Sequence, residues 1–549
     1  MSLDGFLTFL TLIIAAYGVA SSPTRLRLRL HLFGVTVISF IGFVLVIYYE
    51  MLVSEPAGII CPSWVGRQCR FLNLSRTFPT GPQIAFGVVI IWWLAAWFLL
   101  SRTSISPRAF PNLRRLVDEL HYEHRIAELI QVVEPNLSLL EAAASRKLPG
   151  AKVYDTLRRW RRDETPREIM ARLTTDAHEF EAPSRHQRAL SWLKHCVGTA
   201  GRALPSGRSS EEAAREILRV LLLSRKIVEF IALYRAAFGV KLLTLHRIQE
   251  VFEFSDEYLT TLISTPHSTL YLEVKNNQNY SHGNNFFFPT ENKLLNFLFE
   301  NAKQAERLGV WEPLGDWILS KLRSDLHPDY TESLNLSAES FDRDPWEDPT
   351  FVVVKFFELM VSAALYQDIS WHMWLYYFDH IVRRLTELYS DRGDGVDATD
   401  EFPTRSAYII YTMFRIVRDW ITAVTDLPDT SSQLMMKDER VVHENGNIPK
   451  SAILALGTCL KTLLLAPNVG DRFKRTIVSL VARAVDELPR NGARSAFRRV
   501  LVKSIAQGGV GMSATDYEYV QALRRAFGDI DHVLRERLDD LTNALATSG

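Results

Sequence analysis

Catalytic signatures are missing from this chain. It holds no G-x-x-x-x-G-K-[ST] loop to cradle phosphates, no G-x-S-x-G elbow to present a nucleophile and no H-E-x-x-H pair to bind zinc. Cysteine is scarce, with four in 549 residues. Two of them, Cys61 and Cys69, fall close together without nearby His or Asp, which is too few ligands for a structural zinc site. Net charge is absent as well, at 63 Lys and Arg against 63 Asp and Glu. The most informative absence is local. Charge is missing from three apolar stretches in the first hundred residues: Phe6 to Ala20, Leu32 to Val53 (until Glu50) and Gln83 to Leu100.

A helix crossing the hydrocarbon core needs about 20 apolar residues, with a working range of about 17 to 25. The second and third stretches meet this, and Trp92, Trp93 and Trp97 add bulk to the third. The first reaches it from about residue 3 to 20. Gly18, Val19 and Ala20 before Ser21 have the small-residue offsets of a signal-peptidase site, so a cleaved signal is the alternative. Against that, Asp4 precedes the stretch without any Lys or Arg, and Arg25, Arg27 and Arg29 follow it, where positive charge resists translocation. The expectation is a membrane anchor over residues 1–101 with spans near 3–20, 32–53 and 83–100.

Orientation follows from Lys and Arg at the span ends. The first connector carries Arg25, Arg27 and Arg29, and the segment after the third span carries Arg102, Arg108, Arg114 and Arg115. Both belong inside, which leaves the N-terminus outside and the C-terminal body in the cytoplasm of a plasma or bacterial inner membrane. The loop from Ser54 to Pro82 also holds Arg67, Arg70 and Arg76, spread more thinly. Cys61 and Cys69 lie in that outside loop, where a disulfide would persist; two unrelated thiols are the alternative.

The zero net charge hides a gradient. Residues 1–100 carry +3, residues 101–250 carry +8 and residues 251–549 carry −11. Basic side chains beside a cytoplasmic leaflet gain about 1 kcal/mol each near anionic lipid. Arg108, Arg114 and Arg115, with the cluster Arg158, Arg159, Arg161 and Arg162 around Trp160, are the lipid-facing candidates. A solvated helix face paired with Asp155, Asp163 and Glu164 explains the cluster as well. Nucleic acid stacked on Trp160 finds no other support in the chain.

The body reads as all-α. Its 3.6-residue periodicity is clear over Glu211 to Phe238, and Thr290 is placed to cap a helix running Lys293 to Leu308 and closing at Gly309. Ser451 to Leu465, Arg472 to Leu488, Ala493 to Ala506, Tyr517 to Phe527 and Ile530 to Leu545 follow as successive helices. Only Thr269 to Val274 and Phe351 to Val354 look like strands. Breaks at Gly198–Arg208, Asp325–Pro349 and Asp426–Pro449 suggest units at 102–200, 210–325, 350–425 and 450–549. The first is basic and juxtamembrane, the third is aromatic-rich, and the last is a possible helical-hairpin solenoid without a fixed period.

Three constellations invite chemistry. Gly509 to Ala514 matches G-x-G-x-x-A with Asp529 downstream, but the motif needs a strand before it and a βαβ unit around it. A helix C-cap followed by a Ser513 N-cap accounts for it, so no cofactor is expected. His121, His124 and Glu128, at i, i+3 and i+7, would share a helix face and are the metal candidates, but no partner Glu-x-x-His occurs elsewhere and surface or interface histidines explain them better. Asp368, His372, Asp379 and His380 lie in an aromatic stretch where His372 and Asp379 are the candidate general acid–base pair, although a packed helix with satisfied histidines explains them too. The loop Asn276 to Phe288 (NNQNYSHGNNFFF) reads as a turn-rich connection whose Phe288 staples the next helix, with a ligand loop as the alternative. The acidic loop Asp391 to Glu401 departs from the EF-hand pattern at Ser390 and Arg392.

These features point first to a membrane-tethered helical scaffold or sensor-effector whose body binds a protein partner. An oligomeric pore is the alternative, and it requires homo-oligomer assembly because three spans enclose no path. The spans lack the buried ionisable residues that mark transport pathways. A membrane-bound hydrolase using the His372 region is the third reading.

Overall fold

The computed structural model describes residues 37–47, 87–95, 98, 105, 107–145 and 207–547, apart from 246–247, 283–284, 340, 342–343, 370–374, 394, 445 and 510–516. The first span, Cys61, Cys69 and the Arg158–Arg162 cluster lie outside these residues. The described residues are overwhelmingly helical, so the fold is all-α, with a single two-residue β-ladder. The chain divides into two compact units, Met1–Leu221 and Leu222–Gly549.

In the first unit, the helix α1 (Val37–Ile47) and the helical residues 87–95 (α2) meet through small and polar groups. A methyl at Gly42 would lie 3.1 Å from Trp92 Cδ1, and Trp92 Nε1 donates to Ser39 Oγ at 3.1 Å. Beyond them, α3 (Phe110–Tyr122) and α4 (Ile126–Val133) bury Leu113, Val117, Leu129 and Ile130. The buried Asn136 ties the end of α4 to the chain entering α3: its Nδ2 donates to Val132 O while its Oδ1 accepts from Ile105 N.

The second unit is a helical body. Its α5 (Val251–Ser264) and α6 (Thr269–Asn277) precede the hairpin β1 (Ser281–His282) and β2 (Asn285–Phe286), antiparallel with Ser281 opposite Phe286. Thr269 to Val274 is therefore helix, not strand. The same correction applies to Phe351 to Val354, which opens the 18-residue helix α7 (Pro349–Tyr366). The valines there favour strand locally. However, Asp348 caps the helix by accepting from Phe351 N at 2.9 Å, and Pro349 occupies the first turn, where its missing N–H costs nothing. Burial then decides the outcome.

By length and composition α7 and α10 (Ile448–Leu465) could each cross a membrane, so the body is not uniformly polar as its sequence suggests. Both are core helices, 89% and 72% buried. Between them in sequence lie α8 (Leu375–Leu388) and α9 (Arg405–Thr422), which pack with α7 and α10. An aromatic spine runs through this core, from Phe299 to Phe356 at 5.1 Å and from Phe378 to Trp420 at 4.9 Å between ring centroids. Each such buried ring contributes about 1.5–3 kcal/mol. Further along, α11 (Asp471–Glu487) and α12 (Ser495–Gln507) follow the expected amphipathic pattern closely.

The Lys293–Leu308 segment differs from a single capped helix. It begins at Lys293, passes into a π-turn over Asn296–Glu300, breaks at Asn301 and resumes at Lys303. Its cap is not Thr290 but Glu273 of α6, whose carboxylate accepts from Leu294 N at 3.0 Å and Leu295 N at 2.9 Å. Gln367 bridges the break, accepting from Ala302 N and donating to Phe299 O. Gly309 closes the segment in the left-handed region, as its sequence position predicts.

Candidate functional site

Charge inside the core marks the site. Helix α7 buries nearly its whole surface, yet Lys355, Glu358 and Ser362 recur at i, i+3 and i+7 and so share one stripe. Lys355 and Glu358 are only 5% and 6% exposed and form a tight ion pair. Opposite them, α9 presents Arg415, Asp419 and Trp420. Arg415 Nη2 lies 3.7 Å from Glu358 Oε1, and its Nη1 lies 3.8 Å from Asp419 Oδ2. Arg418 grips Asp419 Oδ1 through Nε at 3.2 Å and Nη2 at 2.9 Å.

These groups surround a cavity of about 270 Å³, closed on its third side by Gln278, Ser281 and Phe286 from the end of α6 and the hairpin. The candidate ligand loop of the sequence therefore does contribute a wall. The space is wide enough for several water molecules. Burial lowers the Lys355 ammonium from its ordinary value, with Glu358 opposing that shift. Burial raises the Asp419 carboxyl, opposed by Arg418 and Arg415. The indole Nε1 of Trp420 is buried without a hydrogen-bond partner.

Apart from the loop residues Gln278, Ser281 and Phe286, sequence reasoning passed over these residues. The available signal was an isolated Lys-x-x-Glu-x-x-x-Ser in an otherwise apolar run, which reads as a strand followed by ordinary polar residues until the helix is known.

The acid–base stretch is divided by the structure. Asp368 lies beyond the end of α7 with a φ of 55°, not on the helix that carries Asp379. It accepts from Ser431 Oγ at 2.6 Å and Ser432 N at 3.1 Å. His372 lies outside the described residues. Asp379, on α8, has its carboxyl raised by burial and lines a small cavity of about 80 Å³ with Tyr376, His443 and Ser451. The Ser451 Oγ is buried and makes no hydrogen bond, so no Ser–His link exists there.

The metal candidates His121, His124 and Glu128 do not share one helix face either. Helix α3 ends at Tyr122, His124 takes a φ of 60°, and Glu128 belongs to α4, where Arg125 holds its carboxylate at 3.0 and 2.6 Å. Among the described residues no cluster of three or more His, Cys, Asp or Glu is placed to hold a metal. Of the basic candidates, Arg114 and Arg115 are exposed on α3, and Arg114 reaches Asp118 at 3.8 Å. Arg108 sits in the short 3-10 turn before it. Gly508 and Gly509, both at positive φ, end α12, and Gly509 N donates to Ser504 O at 3.0 Å, so the start of the glycine motif is a helix cap.

No protein-family model matches the chain, and searches of curated proteins and of solved structures also return no match.

Proposed function

We propose that the protein is a membrane-tethered sensor. Three N-terminal spans hold it, with the N-terminus outside, and the helical body binds a small polar ligand in the cytoplasm and passes the signal to a protein partner. The observation that carries this reading is the 270 Å³ pocket walled by the Lys355–Glu358 pair, Arg415 and Asp419. A charge cluster kept only for folding would close on itself. This one leaves space and loose cation contacts at a point where three separate chain segments meet. The anchor is supported by the apolar side chains that α1 and α2 turn outward, among them Phe40, Ile41 and Ile91, 52–69% exposed.

The test uses full-length protein purified in mild detergent. Small molecules released on denaturation are identified by mass spectrometry, and thermal unfolding is followed with and without a protein-free extract of the host cells. Wild type is expected to release or respond to a polar compound, whereas Arg415→Gln, at a partly exposed position, does neither. Equal behaviour of the two proteins would remove the ligand site and with it the sensor.

A further inference from the structure

A second pocket lies between α8 and α10, apart from the one walled by α7, α9 and the hairpin. From α10 it takes Ser451, Leu454, Ala455 and Thr458, which at i, i+3, i+4 and i+7 form one helix face. From α8 it takes Leu375, Tyr376 and Asp379, and His443 comes from the loop before α10. Asp379 is half-buried and makes no hydrogen bond or ion pair to any described residue. Burial raises its carboxyl, and His380 and Arg383 oppose that shift through space. Those two occupy each other, Arg383 Nη2 against His380 Nδ1, and neither lines the pocket. The Cys459 thiol nearby is pushed well up by burial and then by Asp379, so it stays neutral. Among the described residues the lining thus carries one carboxylate charge that no side chain takes up.

The rest of the lining decides what that charge can hold. Thr458 Oγ1 donates to Leu454 O at 3.1 Å, so what it has left to offer is its lone pairs. Ser451 Oγ is buried and shows no surface to the space, so it offers a ligand nothing. Tyr376 and His443, with ring centroids 5.8 Å apart, make an aromatic outer wall, and both are exposed. A carboxylate, a hydroxyl acceptor and an aromatic wall together recognise a cation that carries N–H donors. A metal ion asks for more ligands, and no cluster of three His, Cys, Asp or Glu stands here among the described residues. At about 80 Å³ the space takes a head group of a few heavy atoms, not a sugar or a nucleotide. We propose that the α8–α10 pocket binds the head of a small primary amine. Its ammonium sits on the Asp379 carboxylate and Thr458 Oγ1, its first carbons lie against Leu454 and Ala455, and its remainder leaves past Tyr376 and His443.

The experiment is a ligand-observed NMR titration of the full chain in detergent, at about pH 8 to keep imidazole charge from competing with the ligand. The probes are propylamine, propanol as its neutral isostere, tetramethylammonium as a cation without N–H groups and potassium chloride as a bare cation. Propylamine is expected to bind, with propanol and tetramethylammonium at least about tenfold weaker, the ratio that one lost charged hydrogen bond produces. Asp379→Asn keeps the side-chain shape and removes the charge. It should weaken binding at least about tenfold and leave the unfolding temperature unchanged or raised, because the carboxylate has no partner to lose. Ala455→Leu fills the pocket from α10 without altering any charge and should abolish binding, which keeps the test decisive even where Asp379→Asn does not fold. Arg415→Gln, in the other pocket, should bind propylamine as wild type does. Propanol binding as tightly as propylamine overturns the ammonium. Tetramethylammonium or potassium displacing propylamine at equal concentration overturns the role of the N–H donors and the amine with it. Binding that survives both Asp379→Asn and Ala455→Leu, or that Arg415→Gln removes instead, overturns the location, and no binding of propylamine at all overturns the site.

Discussion

Two buried carboxylates show how differently one side-chain type behaves by site. Glu273 accepts backbone N–H groups at the start of the Lys293 segment, which favours the ionised form, yet burial outweighs them and pushes its carboxyl from the ordinary 4.5 up to about 7. The folded state therefore holds this proton more tightly than the unfolded chain does. The stability it contributes is full below about pH 4.5 and is lost as pH rises through about 7, about 3 kcal/mol over that window. Glu273→Gln keeps an acceptor oxygen for Leu294 and Leu295 and cannot ionise. Urea midpoints of wild type should fall from acid to neutral pH, and the fall should be smaller in the variant; parallel curves would show that Glu273 does not titrate in this window. Glu358 has a cation on it instead. Lys355→Met leaves that carboxylate buried with only the distant Arg415, a loss of about 3–5 kcal/mol, whereas Lys355→Met with Glu358→Leu should be neutral or stabilising by about 1–4 kcal/mol. Thermal unfolding of the two variants decides this, and a double variant as unstable as the single would mean that the pair is held for the fold.

At the scale of elements, what was legible followed the helical period. Helices α11 and α12 alternate apolar and charged residues every turn, and their observed bounds lie within two residues of the expectation. Helix α7 has no such period because it is buried on all sides, and its Phe-Val-Val-Val start imitates a strand. The cavity was illegible for a related reason: residues from the β-hairpin, α7 and α9 converge only in three dimensions, and no spacing along the chain links Ser281 to Lys355 to Arg415. Close approach between helices was equally hidden. Gly509, at φ 89°, lies against α10, and a methyl there would sit 2.7 Å from Thr458 N. Gly309 has a similar φ, 61°, with open space around it. Gly309→Ala should thus cost only left-handed strain, about 1 kcal/mol, while Gly509→Ala adds an overpacking cost of about 1–3 kcal/mol. Equal unfolding midpoints for the two variants would mean that α10 and α12 can separate without loss.

For the whole molecule, the two kinds of apolar helix must be told apart by where their side chains point. In α7 and α10 they point into the body, and a membrane span there would tear open the core that holds the cavity. In α1 and α2 the apolar side chains point outward, Phe40 at 67% and Ile91 at 69% exposed, and lipid is the solvent that would accept them. The protein should accordingly stay in the membrane pellet after alkaline carbonate extraction. With arginines concentrated before the second span and after the third, a fluorescent protein fused after Gly549 should mature, and alkaline phosphatase inserted between Ser54 and Pro82 should be active. If the proposed topology holds, Cys61 and Cys69 face an oxidising compartment and should resist alkylation until reduced, while the buried Cys459 reacts only after unfolding. An active phosphatase at Gly549 with a silent one in the loop would invert the orientation, remove the cavity from the cytoplasm and require its ligand to come from outside the cell.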